Sequence, residues 1–279
     1  MSIKVITDSA CDLPPDLIGN LGVEIVPLTV RFGDTEYVDG RDITPTEFWA
    51  KCGASSELPQ TAAPSQGSFE EAYRRAAAAG ATGIVVISLS AELSATIQSA
   101  QLAARDWGGQ IPVRIVDSLN ASMGQGLTVI ECAERARQGA SIDEIVALAG
   151  DLAPRTFVFA ALDTLENLKK GGRIGGAKAL LATALSIKPL IEIRSGKVEE
   201  AGKARTRSKA LAVLVDQLAK HEGRIERLGI LHAQCADVGA FVEMVGKVHG
   251  GPAIIGDIGA VIGTHAGQGT IGIAFRIAK

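Results

Sequence analysis

Four short apolar runs in the first 120 residues have the composition of buried β-strands. They cover residues 3–7, 23–30, 84–89 and 113–116, and they are rich in Val and Ile. Continuous apolar runs of this length, without alternating polar positions, are typical of strands that are covered on both faces of a parallel sheet.

The segments between these runs have helical spacing. The predicted helices begin near residue 65, cover about residues 93–105, and follow residue 118 to about residue 138. In the first of them, Phe69, Ala72 and Tyr73 recur at intervals of three and four residues. Strands that alternate with helices predict an α/β fold, here a three-layer α/β/α domain with a parallel sheet.

The pattern changes near residues 150–154, where we place a domain boundary. The predicted strands are residues 155–161, 187–193, 197–201, 225–231, 253–256, 259–262 and 270–277, and the predicted helices are residues 162–168, 177–185, 205–221 and 236–249. Arg194, Ser195 and Gly196 form the predicted turn of a hairpin. We therefore predict two domains, residues 1–152 and residues 153–279, the second with two layers and a mixed sheet.

Small polar residues end three strands of the predicted parallel sheet. They are Asp8 and Ser9, Ser88 and Ser90, and Asp117 and Ser118. The carboxyl ends of parallel strands meet at one edge of the sheet, which is where ligands bind in such folds. Each pair also suits the N-cap of the following helix. Both interpretations, a ligand site and a set of helix caps, stay open.

Composition excludes several classes of protein. Hydrophobic residues make up 47% of the 279 residues but aromatic residues only 4%, which predicts an aliphatic core. The four cysteines form no Cys-x-x-Cys motif, so we expect reduced, buried thiols and no metal. The sequence begins without a signal-peptide pattern and contains no apolar run of about 18 residues, so we expect a cytoplasmic protein.

Positive charge is concentrated in one segment. The net charge of the chain is −3, yet residues 169–209 contain eleven Lys or Arg against three Glu. This basic segment is interpreted either as a docking or anion-facing surface or as a set of solvated loop charges. Nucleic acid is not an expected partner, because the segment lacks interleaved aromatic residues.

Two features of residues 263–272 resemble parts of binding sites: a glycine-rich motif, which we reject as a dinucleotide site, and a histidine, which we keep as a candidate ligand contact. Residues 267–272 spell G-x-G-x-x-G, but the seven residues that follow read as a strand rather than as the helix a dinucleotide site requires. His265 lies between Gly263 and Gly267, which would let the backbone approach a ligand closely. We predict that it lies in a tight loop between two strands, where it contacts a ligand or has no special role.

Eight motifs, taken in order, resemble those of the DegV family. They are residues 6–14 (ITDSACDLP), 61–65 (TAAPS), 90–96 (SAELSAT), 116–118 (VDS), 168–174 (LKKGGRI), 188–189 (KP), 203–205 (KAR) and 262–269 (IGTHAGQG). The resemblance covers essentially the whole chain. It implies a two-domain carrier without catalytic residues or cofactor, which holds a fatty acid such as palmitate, stearate or oleate between its domains.

The resemblance also implies a role for five residues. Thr61, Ser94 and His265 would hold the carboxyl group of the fatty acid. Arg173 and Arg205 would face a partner, the catalytic subunit of a fatty-acid kinase, or the phosphate that it transfers to form an acyl phosphate. Arg173 has a second interpretation, the neutralisation of carbonyls at a helix C-terminus before it. Transient contact with a membrane is compatible with such a carrier.

Two departures from the family pattern affect the expected site, and two rival functions stay open. Ala62 stands where Ser is frequent, and Ala95 stands where Gly is usual. One rival is a lipid hydrolase or acyltransferase that uses Ser9 or Ser94 with His265, although no orienting acid can be identified. The other rival is a sensor of another small apolar ligand.

Overall fold

The computed structural model describes residues 2–109 and 111–279, and of residues 182–186 it describes the backbone only. The strands of this part are β1 (Ile3–Asp8), β2 (Glu24–Val26), β3 (Thr29–Phe32), β4 (Thr35–Val38), β5 (Gln60–Ala62), β6 (Gly83–Ser88), β7 (Val113–Asp117), β8 (Thr156–Ala161), β9 (Lys188–Arg194), β10 (Lys197–Ala204), β11 (Ile225–His232), β12 (Ile254–Asp257) and β13 (Ile271–Ile277).

Ten α-helices and one long 3-10 helix, Gly175–Ser186, lie in the same described part. The α-helices are α1 (Pro15–Leu21), α2 (Pro45–Ala54), α3 (Gln66–Ala78), α4 (Thr96–Asp106), α5 (Met123–Arg137), α6 (Ile142–Leu152), α7 (Glu166–Lys170), α8 (Arg207–Ala219), α9 (Val238–Gly246) and α10 (Ala260–Ala266). None of these described helices is both long and apolar enough to cross a membrane.

The first sheet is parallel, as predicted, with the strand order β2-β1-β6-β7. Successive side chains of a strand point to opposite faces, and both faces are buried here. Ile84 and Val86 pack on one face with Tyr73 of α3, while Val85 packs on the other face with Leu127 of α5. The three-layer α/β/α arrangement is therefore confirmed.

The single strand predicted over residues 23–30 is wrong, because the structure divides it between two sheets. Strand β2 ends at Val26, and the next residue, Pro27, has no backbone N–H to continue a ladder. Strand β3 starts at Thr29 in a small antiparallel sheet of order β4-β3-β5. Within this sheet Thr61 on β5 pairs with Val30 on β3, which fixes the position of Thr61.

The second sheet is mixed, as predicted, with the order β10-β9-β8-β13-β11-β12. Only the pairing of β11 with β12 is parallel. Helices α8 and α9 cover one face, where Leu214 and Phe241 pack with Phe275. Helix α5 packs on the other face, so it lies between the two sheets. The last strand of the parallel sheet ends at Asp117, and the first strand of the mixed sheet begins at Thr156. The predicted domain boundary after residue 152 lies between these two strands and stays a prediction.

The strand predicted over residues 259–262 is wrong, because this segment forms helix α10. Asp12 accepts a hydrogen bond at 3.0 Å from the backbone N–H of Gly259, the residue just before the helix, and so holds the start of the helix in place. Gly263 packs against the rings of Phe48 and Trp49. His265 consequently lies in the last turn of a helix and not in a loop between strands.

Candidate functional site

A cavity of about 180 Å³ lies between the small antiparallel sheet, the start of α4, helix α10 and the hairpin of β9 and β10. Apolar side chains form most of its wall, and four polar side chains complete it. The apolar side chains include Leu28, Leu89, Leu93, Ala121, Leu168, Ile191, Ile193, Val198, Val261 and Ile262. The polar ones are Thr61, Ser94, Arg173 and His265. The structure thus brings together four of the five predicted site residues.

Thr61 and His265 form a hydrogen-bonded pair at this cavity. Thr61 Oγ1 lies 2.9 Å from His265 Nε2, although 204 positions separate the two residues in the sequence. Burial, and then the positive charge of Arg173, lowers the pKa of His265 from 6.5 to about 4. The imidazole is therefore neutral at pH 7. Its partner is Thr61 rather than Ser9 or Ser94, so the described contacts contain no Ser–His pair of the kind that the hydrolase interpretation requires.

Ser94 lies just before helix α4 and has a buried neighbour. Its Oγ is 2.9 Å from Thr96 Oγ1 and accepts a hydrogen bond from the backbone N–H of Thr96 at 3.2 Å. Ala95, between them, has φ −75° and ψ 3°, which any residue adopts. Replacement of the usual Gly by Ala95 therefore strains nothing in this turn. Ala62 is exposed and neighbours Thr61 on a strand, so its side chain points away from the cavity wall that Thr61 forms.

Arg173 connects two segments beside the cavity. Its Nε donates to the carbonyl of Leu93 at 3.1 Å, and its Nη1 donates to the carbonyl of Gly171 at 2.6 Å. Gly171 is the C-cap residue of α7. The contact with Gly171 matches the interpretation in which Arg173 neutralises a helix-terminal carbonyl, and its partner-facing role stays a prediction. Arg205 is exposed after β10 and is not among the residues that line the cavity.

The polar strand ends form hydrogen bonds within the loops and do not line this cavity. Asp8 accepts from the backbone N–H groups of Ala10 and Leu89. Ser90 donates to the carbonyl of Gly196 at 2.8 Å, which joins the loop after β6 to the β9–β10 hairpin. The Asp8–Ala10 contact matches the capping interpretation, whereas the Ser90–Gly196 contact links two distant segments and is not a helix cap. The contacts of Leu89 and Ser90 fix the loop that precedes Ser94.

Three residues near the site were missed by the sequence analysis. Thr96 is fully buried behind Ser94. Asn167 donates from Nδ2 to the carbonyl of Thr264, at 3.0 Å, and so holds α7 against α10. Gly171 lies so close to His265 that a side chain there would collide with Nδ1. Thr96 and Gly171 belong to motifs that were recognised, but the spacing alone does not indicate what they contact.

Two further cavities adjoin the first. A polar cleft of about 500 Å³ shares Thr61, Arg173 and His265 with it and also includes Lys170 and Glu57. An almost entirely apolar cavity of about 80 Å³ shares a different set of residues with it: Ala121, Ile191, Ile193, Ile262 and Ala266. The first cavity therefore has a polar neighbour on one side and an apolar neighbour on the other.

The fold and the site define a class: α/β proteins with one parallel and one mixed sheet and a mainly apolar cavity whose few polar side chains include a Thr–His pair. Comparison with known proteins agrees with this description. Residues 2–278 match the family described as "Uncharacterised protein, DegV family". The chain belongs to the DegV family.

Relatives of the chain extend over its full length. A DegV domain-containing protein of Streptomyces coelicolor is 36% identical over 275 residues, which are 97% of each chain. A solved structure described as fatty acid binding of a DegV family protein, from Thermus thermophilus, has 38% identity and a TM-score of 0.91, with 100% of both chains covered. A stearic acid-binding protein from Eubacterium ventriosum has 26% identity and a TM-score of 0.89, with 98% of both chains covered.

Proposed function

We propose that the protein binds one long-chain fatty acid, such as palmitate, stearate or oleate. In this proposal Thr61, Ser94 and His265 hold the carboxyl group, His265 through its hydrogen bond with Thr61, and the apolar cavities hold the alkyl chain. The observation that carries the proposal is a cavity with apolar walls and a single cluster of hydrogen-bonding side chains. The similarity to the Thermus thermophilus protein, which is described as binding fatty acid, supports it.

The alkyl chain supplies most of the binding free energy. Each buried methylene contributes roughly 0.8 kcal/mol, so a chain of about fifteen methylenes gains on the order of 12 kcal/mol before the costs of association. Ile191 and Ile193 line both the first cavity and its apolar neighbour. A tail that starts at Thr61 can therefore extend past β9 into the second cavity while it stays in contact with aliphatic side chains.

The head group needs hydrogen bonds, because an unpaired carboxylate inside a protein is strongly unfavourable. Two hydroxyl groups, Thr61 and Ser94, can donate to it. The guanidinium of Arg173 is engaged with two backbone carbonyls, and it acts at the edge of the site as a positive charge. This arrangement leaves a carboxylate oxygen free for chemistry, whereas a bidentate arginine would occupy both oxygens.

Presentation to a partner is the second part of the proposal. The polar cleft that shares Thr61, Arg173 and His265 gives a route from outside to the carboxyl group. Lys170 and Arg173 of the basic segment lie on this cleft, and positive charge there would favour phosphoryl transfer. We propose that a separate fatty-acid kinase subunit docks at this side, with Arg205 further along the same segment, and that the carrier contacts membranes only transiently.

Solvent extraction and mass spectrometry of the purified protein test the binding function. We expect a long-chain free fatty acid in about one-to-one ratio to the protein. The Thr61→Val variant should retain less of it, because the variant loses a donor to the carboxylate, while Thr35→Val on the exposed strand β4 serves as the matched control. A protein that carries no lipid and does not bind added oleate or palmitate would refute the proposal.

A further inference from the structure

Each head-group hydroxyl already has a hydrogen-bonding neighbour. Thr61 Oγ1 lies 2.9 Å from His265 Nε2, and Ser94 Oγ lies 2.9 Å from Thr96 Oγ1. In each pair a single hydrogen bond joins the two side-chain atoms, and either atom could be its donor. The direction of that hydrogen bond decides whether a hydroxyl presents a proton or a lone pair to the ligand.

The surroundings of His265 fix the direction in the first pair. Nδ1 is buried and has no hydrogen-bond partner in the described part of the chain. It faces the Cα of Gly171, and the nearby charge is that of Arg173. A buried N–H without an acceptor is rarer and less favourable than a bare acceptor nitrogen. The hydrogen therefore belongs on Nε2, which donates to Thr61 Oγ1, and the proton of Thr61 is left free.

The burial of Thr96 fixes the direction in the second pair. Its side chain is fully buried, and Ser94 Oγ is the one partner of Thr96 Oγ1 among the described hydrogen bonds. If Ser94 donated, the hydroxyl proton of Thr96 would be buried without an acceptor. Thr96 therefore donates, through Oγ1–H and through its backbone N–H, and Ser94 accepts both. The proton of Ser94 is then free as well.

We propose that Thr96 and His265 are positioning residues that turn the protons of Ser94 and Thr61 toward the ligand. This inference rests on the proposed function. A site with two such donors selects the ionised carboxylate over neutral head groups of the same chain length. A carboxylate has two acceptor oxygens and forms charge-assisted hydrogen bonds, whereas an alcohol has one neutral oxygen.

Binding of oleate and of oleyl alcohol to the delipidated protein tests the role of Thr96. The Thr96→Val variant keeps the shape of the side chain and removes its hydroxyl. We expect its Kd for oleate to rise about tenfold and its Kd for oleyl alcohol to change less than about twofold. Thr96→Ser should restore the affinity for oleate, because it restores the donor.

Three results would overturn the inference. One is an unchanged Kd for oleate in Thr96→Val. Another is an equal loss of oleate and oleyl alcohol binding, which would indicate damage to the cavity. The third is a failure of the wild-type protein to bind oleate, which would refute the proposed function itself, whereas the first two concern only the variant and leave the proposed function intact.

Nuclear magnetic resonance of ¹⁵N-labelled histidine tests the role of His265 without any ligand. We expect the neutral tautomer with hydrogen on Nε2 at pH 7. Gly171→Ala should shift the His265 signals, because a methyl group there collides with Nδ1. Gly172→Ala is the control, since its methyl group meets nothing within 4 Å, although its φ of +73° strains the turn. Hydrogen on Nδ1, or a charged imidazolium, would overturn the assignment.

Discussion

At the scale of single residues, the histidine of the site is held in its neutral form by the fold. His265 is half-buried beside Arg173, and both burial and that charge disfavour a second proton on the ring. A neutral ring is not a counter-ion for a carboxylate, and in the arrangement proposed above it donates a hydrogen bond to Thr61. The same environment links the protonation of His265 to the stability of the ligand-free protein.

The unfolding of wild type and His265→Gln at two pH values measures this link. The unfolded chain takes up the proton as pH falls through 6.5, but the folded protein resists until about pH 4. The free energy of unfolding therefore falls as pH drops below 6.5 and this loss ends near pH 4. After allowance for partial exposure, we expect wild type to lose about 1.5 kcal/mol more than His265→Gln between pH 7 and pH 5 in urea unfolding. Equal losses in both proteins would contradict this.

Much of the site could be predicted from short motifs, but its supporting residues could not. Thr61, Ser94, Arg173 and His265 came from motifs, and the structure places them at one cavity. The contacts of Thr96 and Gly171 depend on which atoms face each other across distant segments, and a one-dimensional pattern does not contain that information. Arg205, which was predicted to face a partner, is exposed outside the cavity, and its role stays a prediction.

At the scale of secondary structure elements, the errors lie where contacts with distant segments decide the conformation. Residues 259–262 contain Val and Ile and were predicted to form a strand. Residues 260–262 instead begin helix α10, and the residue before the helix, Gly259, is held by Asp12 from 247 positions away. The prediction joined β2 and β3 into one strand, because the apolar residues on both sides of Pro27 form a continuous run. In contrast, strands β1 and β6 are buried on both faces, and their apolar runs sufficed to locate them. The apolar run of β7 sufficed as well, although this edge strand is only half-buried.

Helix α10 offers a test of how packing positions the site. A Cβ at Gly263 would lie 2.7–2.9 Å from ring atoms of Trp49 and Phe48. We expect Gly263→Ala to lower the free energy of unfolding by about 2 kcal/mol, because the helix that carries His265 must shift. The shift should also weaken binding of oleate. Urea unfolding and oleate titration of the variant measure the two effects.

The control for this variant is Gly239→Ala in helix α9, where a Cβ meets nothing within 4 Å. Alanine is the better helix former, so we expect this change to raise stability by about 0.5 kcal/mol and to leave oleate binding unchanged. If Gly263→Ala behaves like Gly239→Ala, the close packing of α10 on α2 has no influence on the site.

At the scale of the whole molecule, the site is shared between the two halves of the chain. Thr61 and Ser94 come from the first half, while His265, Arg173 and the β9 wall come from the second. The contact of Ser90 with Gly196 holds the hairpin onto the first sheet. A bound fatty acid would touch both halves, so it should stabilise them as one unit. At a ligand concentration of about 100 times Kd, the gain is about 2.7 kcal/mol.

Charge reversal at Arg173 separates delivery from binding. With ATP, a fatty-acid kinase catalytic subunit and a saturating concentration of fatty acid, we expect Arg173→Glu to form acyl phosphate about tenfold more slowly, equivalent to about 1.4 kcal/mol. Arg74→Glu on the outer helix α3 is the exposed control. A lower melting temperature with normal kinase turnover would instead assign Arg173 to helix capping alone.

A crystal structure of the protein loaded with oleate tests the central claim most directly. The account predicts a carboxylate within hydrogen-bonding distance of Thr61 Oγ1 and Ser94 Oγ, with the chain running between Leu28 and Ile191 toward the apolar second cavity. Oleate bound elsewhere, or bound with its carboxylate at the apolar end and its methyl group at Thr61, would contradict the account.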